Sequence, residues 1–211
     1  MKLDLSKMRQ EYTTSTLDEK DLNSDPFKEF TSWFEKASGQ LEPNAMSLAT
    51  VDPLGSPSLR TVLLKFFDKE GFVFFSNYES KKAKDLEENP NAALLFTWLS
   101  LERQIQIRGV VQKISRKESL KYFLSRPKGS QLGAWVSKQS SIISSRSLLE
   151  QQISKLKTKF AEGKIPLPDF WGGYKLYPES FEFWQGGQNR LHDRFLYTKS
   201  SKEWEIKRLA P

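Results

Sequence analysis

Phe181-Glu182-Phe183-Trp184-Gln185-Gly186-Gly187-Gln188-Asn189-Arg190-Leu191-His192-Asp193-Arg194-Phe195 holds the only histidine in a chain of 211 residues. Read as a strand from Arg190 to Phe195, its period of two predicts Arg190, His192 and Arg194 on one face, with Leu191, Asp193 and Phe195 on the other. Two guanidiniums and an imidazole make a poor core face and a good anion site. They follow a tryptophan and a Gly-Gly pair that permits close approach by a ligand. Taken alone, the pattern divides about evenly between an anion site and a solvated strand with an incidental histidine.

Working outward, the tail reads as β structure: Gly173–Tyr177, Ser180–Trp184, Arg190–Thr198 and Trp204–Leu209. Upstream, Asp25-Pro26 opens a helix whose Phe27, Phe30, Trp33 and Phe34 form an apolar stripe at helical spacing, the pattern of core packing. Ala45–Val51, Ser58–Phe67 and Phe72–Ser76 are predicted strands of an antiparallel meander, joined by the turns Asp52-Pro-Leu-Gly55 and Asp68-Lys-Glu-Gly71. Ser80–Glu88 is a short helix stopped by Asn89-Pro90. Ala92–Leu99 and Gln104–Ile114 are two further strands with a tight connection. Arg116–Ser125 and Ser144–Glu162 are helices on either side of an irregular segment, Arg126–Ser141. Residues 1–24 form a polar, loosely held arm, and 25–211 a single β-rich α+β domain. Many strands with peripheral and inserted helices suggest a small closed or split barrel.

Composition bounds the function classes. With 37% hydrophobic and 13% aromatic residues the chain can bury a substantial core. It has no cysteine, which removes disulfides and thiolate metal sites, and a single histidine cannot build a histidine triad, so no metal site is expected. No apolar run reaches the roughly 18–20 residues of a membrane span, and the first ten residues lack a signal-peptide core. The chain is read as soluble and cytoplasmic. A net charge of +7 raises the question of nucleic acid. The basic residues are dispersed among acids, as in Lys81-Lys82-Ala83-Lys84-Asp85-Leu86-Glu87-Glu88, and no nucleic-acid motif is present. Phosphorylated small molecules account for a basic cleft equally well.

No Walker loop or dinucleotide glycine fingerprint is present, so any nucleotide must be held by side chains and helix ends. Ser80-Lys81-Lys82 lies where a strand gives way to a helix, a place where free N–H groups and the helix dipole favour an anion; a capping serine with solvated lysines reads the same way. Arg60 and Lys65 are five apart on one predicted strand and should face opposite sides. A bulge or bend is needed to bring both to one site. Tyr122, Arg126 and Ser130 are spaced four and four, with Pro127 interrupting the helix, so a helix end and the following loop could converge on one anion.

A family resemblance joins these fragments. Trp184-Gln-Gly-Gly-x-x-Arg-Leu-His-Asp-Arg-Phe195 resembles the C-terminal signature of the pyridoxine (pyridoxamine) 5′-phosphate oxidases. In the family's order, so do Arg60-Thr-Val-Leu-Leu-Lys65, Ser80-Lys-Lys-Ala83, Leu101-Glu-Arg-Gln104, Tyr122-Phe-Leu-Ser-Arg-Pro127, Gly133-Ala-Trp-Val-Ser-Lys-Gln-Ser-Ser141, Pro166-Leu-Pro-Asp-Phe-Trp-Gly-Gly173 and Arg208-Leu-Ala-Pro211. The resemblance covers nearly the whole chain and implies an FMN-binding split β-barrel.

It further implies FMN contacts from Arg60, Lys65, Phe75, Ser76, Lys81, Lys82, Gln104, Gln139, Ser140, Trp184 and Arg194. Lys65, Tyr122, Arg126 and Ser130 would hold the 5′-phosphate of a vitamin B6 substrate, and Arg190 and His192 would act over its pyridine ring as the catalytic pair. Arg9 and Tyr12, in Arg9-Gln10-Glu11-Tyr12, match an arm that covers the substrate. Two departures stand out: Lys81 where many members have arginine, which loses a bidentate fork, and Gln10 where the family has a second arginine. The implied activity is oxidation of pyridoxine or pyridoxamine 5′-phosphate by a homodimer with FMN at its interface, dioxygen being reduced to hydrogen peroxide. Two other classes fit parts of the pattern: a split-barrel flavin reductase with another substrate, and a non-catalytic carrier of flavin or pyridoxal 5′-phosphate.

Overall fold

The computed structural model describes residues 3–8, 10–136, 139–161, 163–201 and 203–211. Its strands are β1 (Ala45–Val51), β2 (Pro57–Leu63), β3 (Phe66–Asp68), β4 (Gly71–Asn77), β5 (Asn91–Trp98), β6 (Arg103–Lys113), β7 (Trp171–Gln185), β8 (Asp193–Lys199) and β9 (Trp204–Leu209). Its helices are α1 (Pro26–Ala37), α2 (Lys81–Glu88), α3 (Arg116–Ser125), α4 (Lys128–Val136) and α5 (Arg146–Lys159). The hydrogen-bonded path runs β2-β1-β5-β6-β7-β4-β3. β2 and β3 therefore end the path on opposite sides, yet only Leu64 and Lys65 connect them, a link of roughly 10 Å. The sheet must curl back on itself, giving an antiparallel half-barrel of the split-barrel type. Among the described residues no helix is long and apolar enough to cross a membrane.

This topology corrects the expected meander. Ser58–Phe67 is not one strand but two, and β4 lies between β3 and β7 rather than beside β2. The tail differs too: the two strands expected across 173–184 are one, β7, continuous through Pro178. β7 pairs β4 up to Leu176 and β8 from Ser180 onward, so Pro178 sits between the two ladders, where its missing N–H breaks no bond on that edge. A third correction is α4, where an irregular segment was expected. Pro127 precedes its first turn and supplies the carbonyl that accepts from Ser130 and Gln131 N–H, a place where proline is tolerated.

The chain divides into two compact units. The first comprises Met1–Ser47, Ala93–Arg108 and Pro178–Pro211. Its core is aromatic: Phe30 of α1 meets Phe96 at 5.2 Å between ring centroids, and Trp33 meets Phe183 at the same distance. α1 starts where the sequence says it should, with Asp25 accepting from Phe27 N–H and Pro26 in the first turn. Within this unit hydrogen bonds tie down the N-terminal arm, as at Asn23, whose carbonyl accepts from Tyr197 OH at 2.8 Å. Thr14 N–H donates to Glu102 Oε2 and Leu17 N–H to Asp193 Oδ2, each at 2.9 Å.

The second unit comprises Leu48–Ala92 and Gly109–Tyr177. Alternation along its strands buries Leu48, Phe72, Phe74 and Leu176 completely. A second cluster forms where Phe123 of α3 and Leu132 of α4 pack with Ile165, Leu167 and Trp171. α3 is fixed by a capping box in which Ser115 and Glu118 satisfy each other's backbone N–H. Lys175, nearly buried, is held by Asp68 and Glu70 at 2.9 Å each.

Candidate active site

The second unit carries a cavity of about 630 Å³. Arg60, Lys65, Phe75, Ser76, Lys82, Tyr122, Arg126, Ser130 and Gln139 all line it, nine positions singled out in the sequence and drawn from two strands, a strand break, three helices and a loop. The opposite-face difficulty of Arg60 and Lys65 disappears because β2 ends at Leu63. The break at Leu64–Lys65 resets the alternation while Lys65 N–H still donates to Val73 O at 2.8 Å.

Part of the cavity lining is a cation cluster. The Lys82 ammonium is buried and bonds Gln139 Oε1 at 2.6 Å, Ser76 Oγ at 3.0 Å and Ser80 Oγ at 3.2 Å, all neutral acceptors. Burial, and then the neighbouring Arg60 guanidinium, push its pKa down to about 8. Arg60 is likewise lowered by burial, with Asp85 opposing the shift. Two desolvated cations that repel each other are costly unless an anion joins them.

Another part of the lining is aromatic and includes an arginine. Phe75 stacks on Tyr122 at 4.0 Å and on Trp171 at 5.2 Å, and the Arg126 guanidinium lies 4.6 Å from the Trp171 ring centroid. Arg126 Nη1 is buried and has no hydrogen-bond partner among the described residues. A buried guanidinium N–H left unpaired costs about 1–3 kcal/mol or more. Such a group, beside Tyr122 and Ser130, is a second place where an anion would be stabilised. Trp171, not singled out in the sequence, is the floor on which Arg126 rests; its place beside Gly172-Gly173 was the available signal.

Lys81 and Ser140 stand apart from the lining. Lys81 Nζ bonds Asp85 Oδ1 at 2.9 Å and lies 3.6 Å from Asp52, so its charge is spent on carboxylates. Ser140 has a left-handed backbone (φ 72°), and its hydroxyl lies 3.4 Å from Lys81 N. Arg9 lies outside the described residues.

The remaining candidates belong to the first unit. Trp184 and His192 rings lie 4.6 Å apart, and Tyr12 meets both at 5.7 and 5.8 Å. A Cβ on Gly186 would come within 2.7 Å of the Tyr12 ring, which is why a glycine stands there. Gly187 N–H donates to His192 Nδ1 at 3.1 Å, so the neutral ring carries its proton on Nε2. Arg194 is engaged by Glu182 Oε1 at 2.8 Å and by Ala210 O at 2.8 Å. Gln104 lies on β6 and is part-buried.

The strand expected from Arg190 to Phe195 begins only at Asp193. Gln188–Arg190 is a 3-10 turn, with Asn189 (φ 51°) and Arg190 (φ 65°) both left-handed. The alternation that put Arg190, His192 and Arg194 on one strand face therefore does not operate. The β7–β8 ladder closes at the Gln185–Asp193 pair, and the seven residues between must reverse direction. Arg190 is exposed on that reversal, and His192 is placed by its bond to Gly187.

Known proteins resemble this chain over most of its length. A family model described as "Pyridoxamine 5′-phosphate oxidase" matches residues 34–160, and one described as "Pyridoxine 5′-phosphate oxidase C-terminal dimerisation region" matches 171–211. A curated protein of Rippkaea orientalis, named pyridoxine/pyridoxamine 5′-phosphate oxidase, is 62% identical over 99% of this chain and 100% of its own length. Among solved structures, PhzG from Burkholderia lata, in complex with tetrahydrophenazine-1-carboxylic acid, is 28% identical. It superposes with a TM-score of 0.86 over 91% of this chain and 95% of that one. A pyridoxamine 5′-phosphate oxidase-related, FMN-binding protein of Nostoc punctiforme, 16% identical with a TM-score of 0.72, shares the fold over 90% of this chain and all of its own.

Proposed function

The chain is an oxidoreductase of the pyridoxamine 5′-phosphate oxidase family, and on that premise we propose that it oxidises pyridoxine or pyridoxamine 5′-phosphate to pyridoxal 5′-phosphate, using FMN. Dioxygen is the final acceptor and becomes hydrogen peroxide; the amine substrate also consumes a water, which supplies the aldehyde oxygen, and releases ammonia. One observation carries the reading: a single cavity with an aromatic wall is lined by two cationic groups, Lys82 with Arg60, and Arg126, whose buried Nη1 has no hydrogen-bond partner among the described residues. A phosphorylated cofactor and a phosphorylated substrate would need two such groups.

The residues fit FMN. Arg60 and Lys82 would hold its phosphate, with Ser76 and Gln139 around the ammonium; Phe75 would line the ring, and Gln104, Ser140, Trp184 and Arg194 are assigned to the cofactor by the family pattern. The chemistry FMN supplies when bound is two-electron oxidation at the substrate's C4′, with those electrons passed on to dioxygen. Arg126, Tyr122, Ser130 and Lys65 would anchor the substrate phosphate, and fixing that group orients C4′, where positioning contributes most. The Nε2–H of neutral His192 supports a role as hydrogen-bond donor to the 3-oxygen or the C4′ substituent, since Nδ1 already accepts from Gly187. Arg190 would stabilise negative charge on the same ring, and Tyr12, with Arg9, would cover it. The match to a dimerisation region supports a homodimer. We extend this to two FMN sites, each drawing residues from both chains; a fully active FMN-loaded monomer in sedimentation would refute the extension.

Anaerobic mixing of the FMN-loaded protein with pyridoxine 5′-phosphate tests the reading. Bleaching of the flavin band, its recovery on admitting oxygen, and formation of pyridoxal 5′-phosphate and peroxide are expected. A yellow protein that does not bleach would point to a carrier or another flavin reaction. A further prediction separates the roles: Arg190→Ala lowers turnover on the order of a hundredfold through lost charge stabilisation, with FMN occupancy unchanged. Equal loss of both would overturn that division.

A further inference from the structure

Thr50 is a β1 residue with 0% exposure, in a part of the sequence with no chemical motif. Its hydroxyl lies between two groups of opposite charge. Arg60 Nη1 is 2.7 Å from Thr50 Oγ1, and Thr50 Oγ1 is 2.7 Å from Asp85 Oδ2. Proton counting leaves one arrangement. A guanidinium can only donate and a carboxylate can only accept, so the single Thr50 proton goes to Asp85 and its lone pair faces Arg60. Arg60 Nη1 also donates to Leu48 O at 3.0 Å, which uses both of its protons and fixes the guanidinium plane. Asp85, 3% exposed, is itself held by Lys81 at 2.9 Å and lies 3.8 Å from Arg60 Nη2.

We infer that Thr50 is a positioning residue for the phosphate end of the cavity, a relay through which the buried Asp85 orients Arg60 toward the cofactor phosphate. Arg60 lines the cavity beside Lys82, which repels it, and among the described residues the partners of the Lys82 ammonium are neutral oxygens. Left to itself, Arg60 lowers its energy by turning away from Lys82. The Asp85–Thr50 relay opposes that turn with one anion placed behind Arg60 rather than in the cavity. It also explains where Lys81 goes: its ammonium neutralises Asp85 from outside and is a support of the relay.

The inference rests on the reading of FMN as cofactor, and the test keeps the two apart. FMN and riboflavin share the ring and differ by the phosphate, so their dissociation constants, measured by flavin fluorescence on the apoprotein, isolate the phosphate end. Thr50→Val keeps shape and charge and removes the hydroxyl; Thr50→Ser restores it. Asp85→Asn is a poorer probe, because it also removes a negative charge that competes with the phosphate. Thr50→Val should weaken FMN by roughly tenfold, the loss of one charge-assisted hydrogen bond, and leave riboflavin within about twofold; Thr50→Ser should bind both as the unchanged protein does. Thr50→Ala serves the same purpose if valine prevents folding. Unchanged FMN binding in Thr50→Val or Thr50→Ala overturns the relay, and so does equal weakening of FMN and riboflavin, which marks a general packing defect. Failure of the unchanged protein to prefer FMN over riboflavin overturns the cofactor reading itself.

Discussion

Arg126→Met should lower kcat/KM for pyridoxine 5′-phosphate on the order of a thousandfold while leaving the ligand-free protein at least as stable. Truncating one partner of a buried charge pair costs about 2–5 kcal/mol, because the other partner is left desolvated and unpaired. Here the abandoned partner would be the substrate phosphate. The stability side follows from the same atom. Nη1 is buried without a partner among the described residues, and removing such a group relieves about 1–3 kcal/mol. Against this stands the loss of the guanidinium's contact with Trp171, at 4.6 Å, worth about 0.5–2 kcal/mol. Methionine restores most of the volume and a sulfur–aromatic contact. Steady-state kinetics, FMN titration and a thermal melt together check the claim. A variant that melts earlier but keeps kcat/KM would show that Arg126 is a structural residue and not an anchor.

The second large effect concerns pH. Lys82 is held at about 8 against an ordinary 10.5, first by burial and then by Arg60. The fold disfavours its charged form. Below about 8 the lysine is protonated folded and unfolded, and the folded state bears the cost in full. Between about 8 and 10.5 the unfolded chain binds the extra proton, so this group makes ligand-free stability rise with pH across that window. On the proposed assignment FMN binding should run the opposite way, since a phosphate that is already a dianion would be held by the ammonium. Above about 8, FMN affinity should fall toward tenfold per pH unit, with riboflavin binding unaffected over the same range. Lys82→Met should weaken FMN about a hundredfold at pH 7, through loss of a charged hydrogen bond, and flatten the pH profile. Parallel profiles for FMN and riboflavin, in either protein, would remove Lys82 from the phosphate site.

These effects arise from residues that differ in how openly the sequence announces them. Lys82 and Arg126 sit in recognisable blocks, and their types alone suggest an anion. The bounds of β1, α3 and β9 were read to the residue, because alternation, capping signals and turn residues agree there. The reading failed where a local signal had two physical outcomes. Pro178, which has no N–H, breaks a strand unless it falls between two ladders. Gly129 and Gly133 argue against a helix until Pro127 caps α4 and Leu132 packs on Phe123 and Trp171. Arg190-Leu-His-Asp-Arg alternates perfectly, yet the ladder closes at Asp193 and the alternation before it positions nothing.

Sequence by itself determined the family, the β-rich class, the residue types of the cationic groups that line the cavity and the absence of thiol chemistry, because these depend on residue identity and short-range spacing. Tertiary structure alone decided that Arg60 and Lys65 share a cavity, through the strand break at Leu64–Lys65. It also decided that Lys81 turns to Asp85 and Asp52, that Thr50 stands behind Arg60, and that His192 keeps its proton on Nε2. Helical spacing makes Lys81 and Asp85 neighbours, but the meetings of Lys81 with Asp52 and of Thr50 with Arg60 and Asp85 join different elements. Periodicity within one segment carries no information about contacts of that kind.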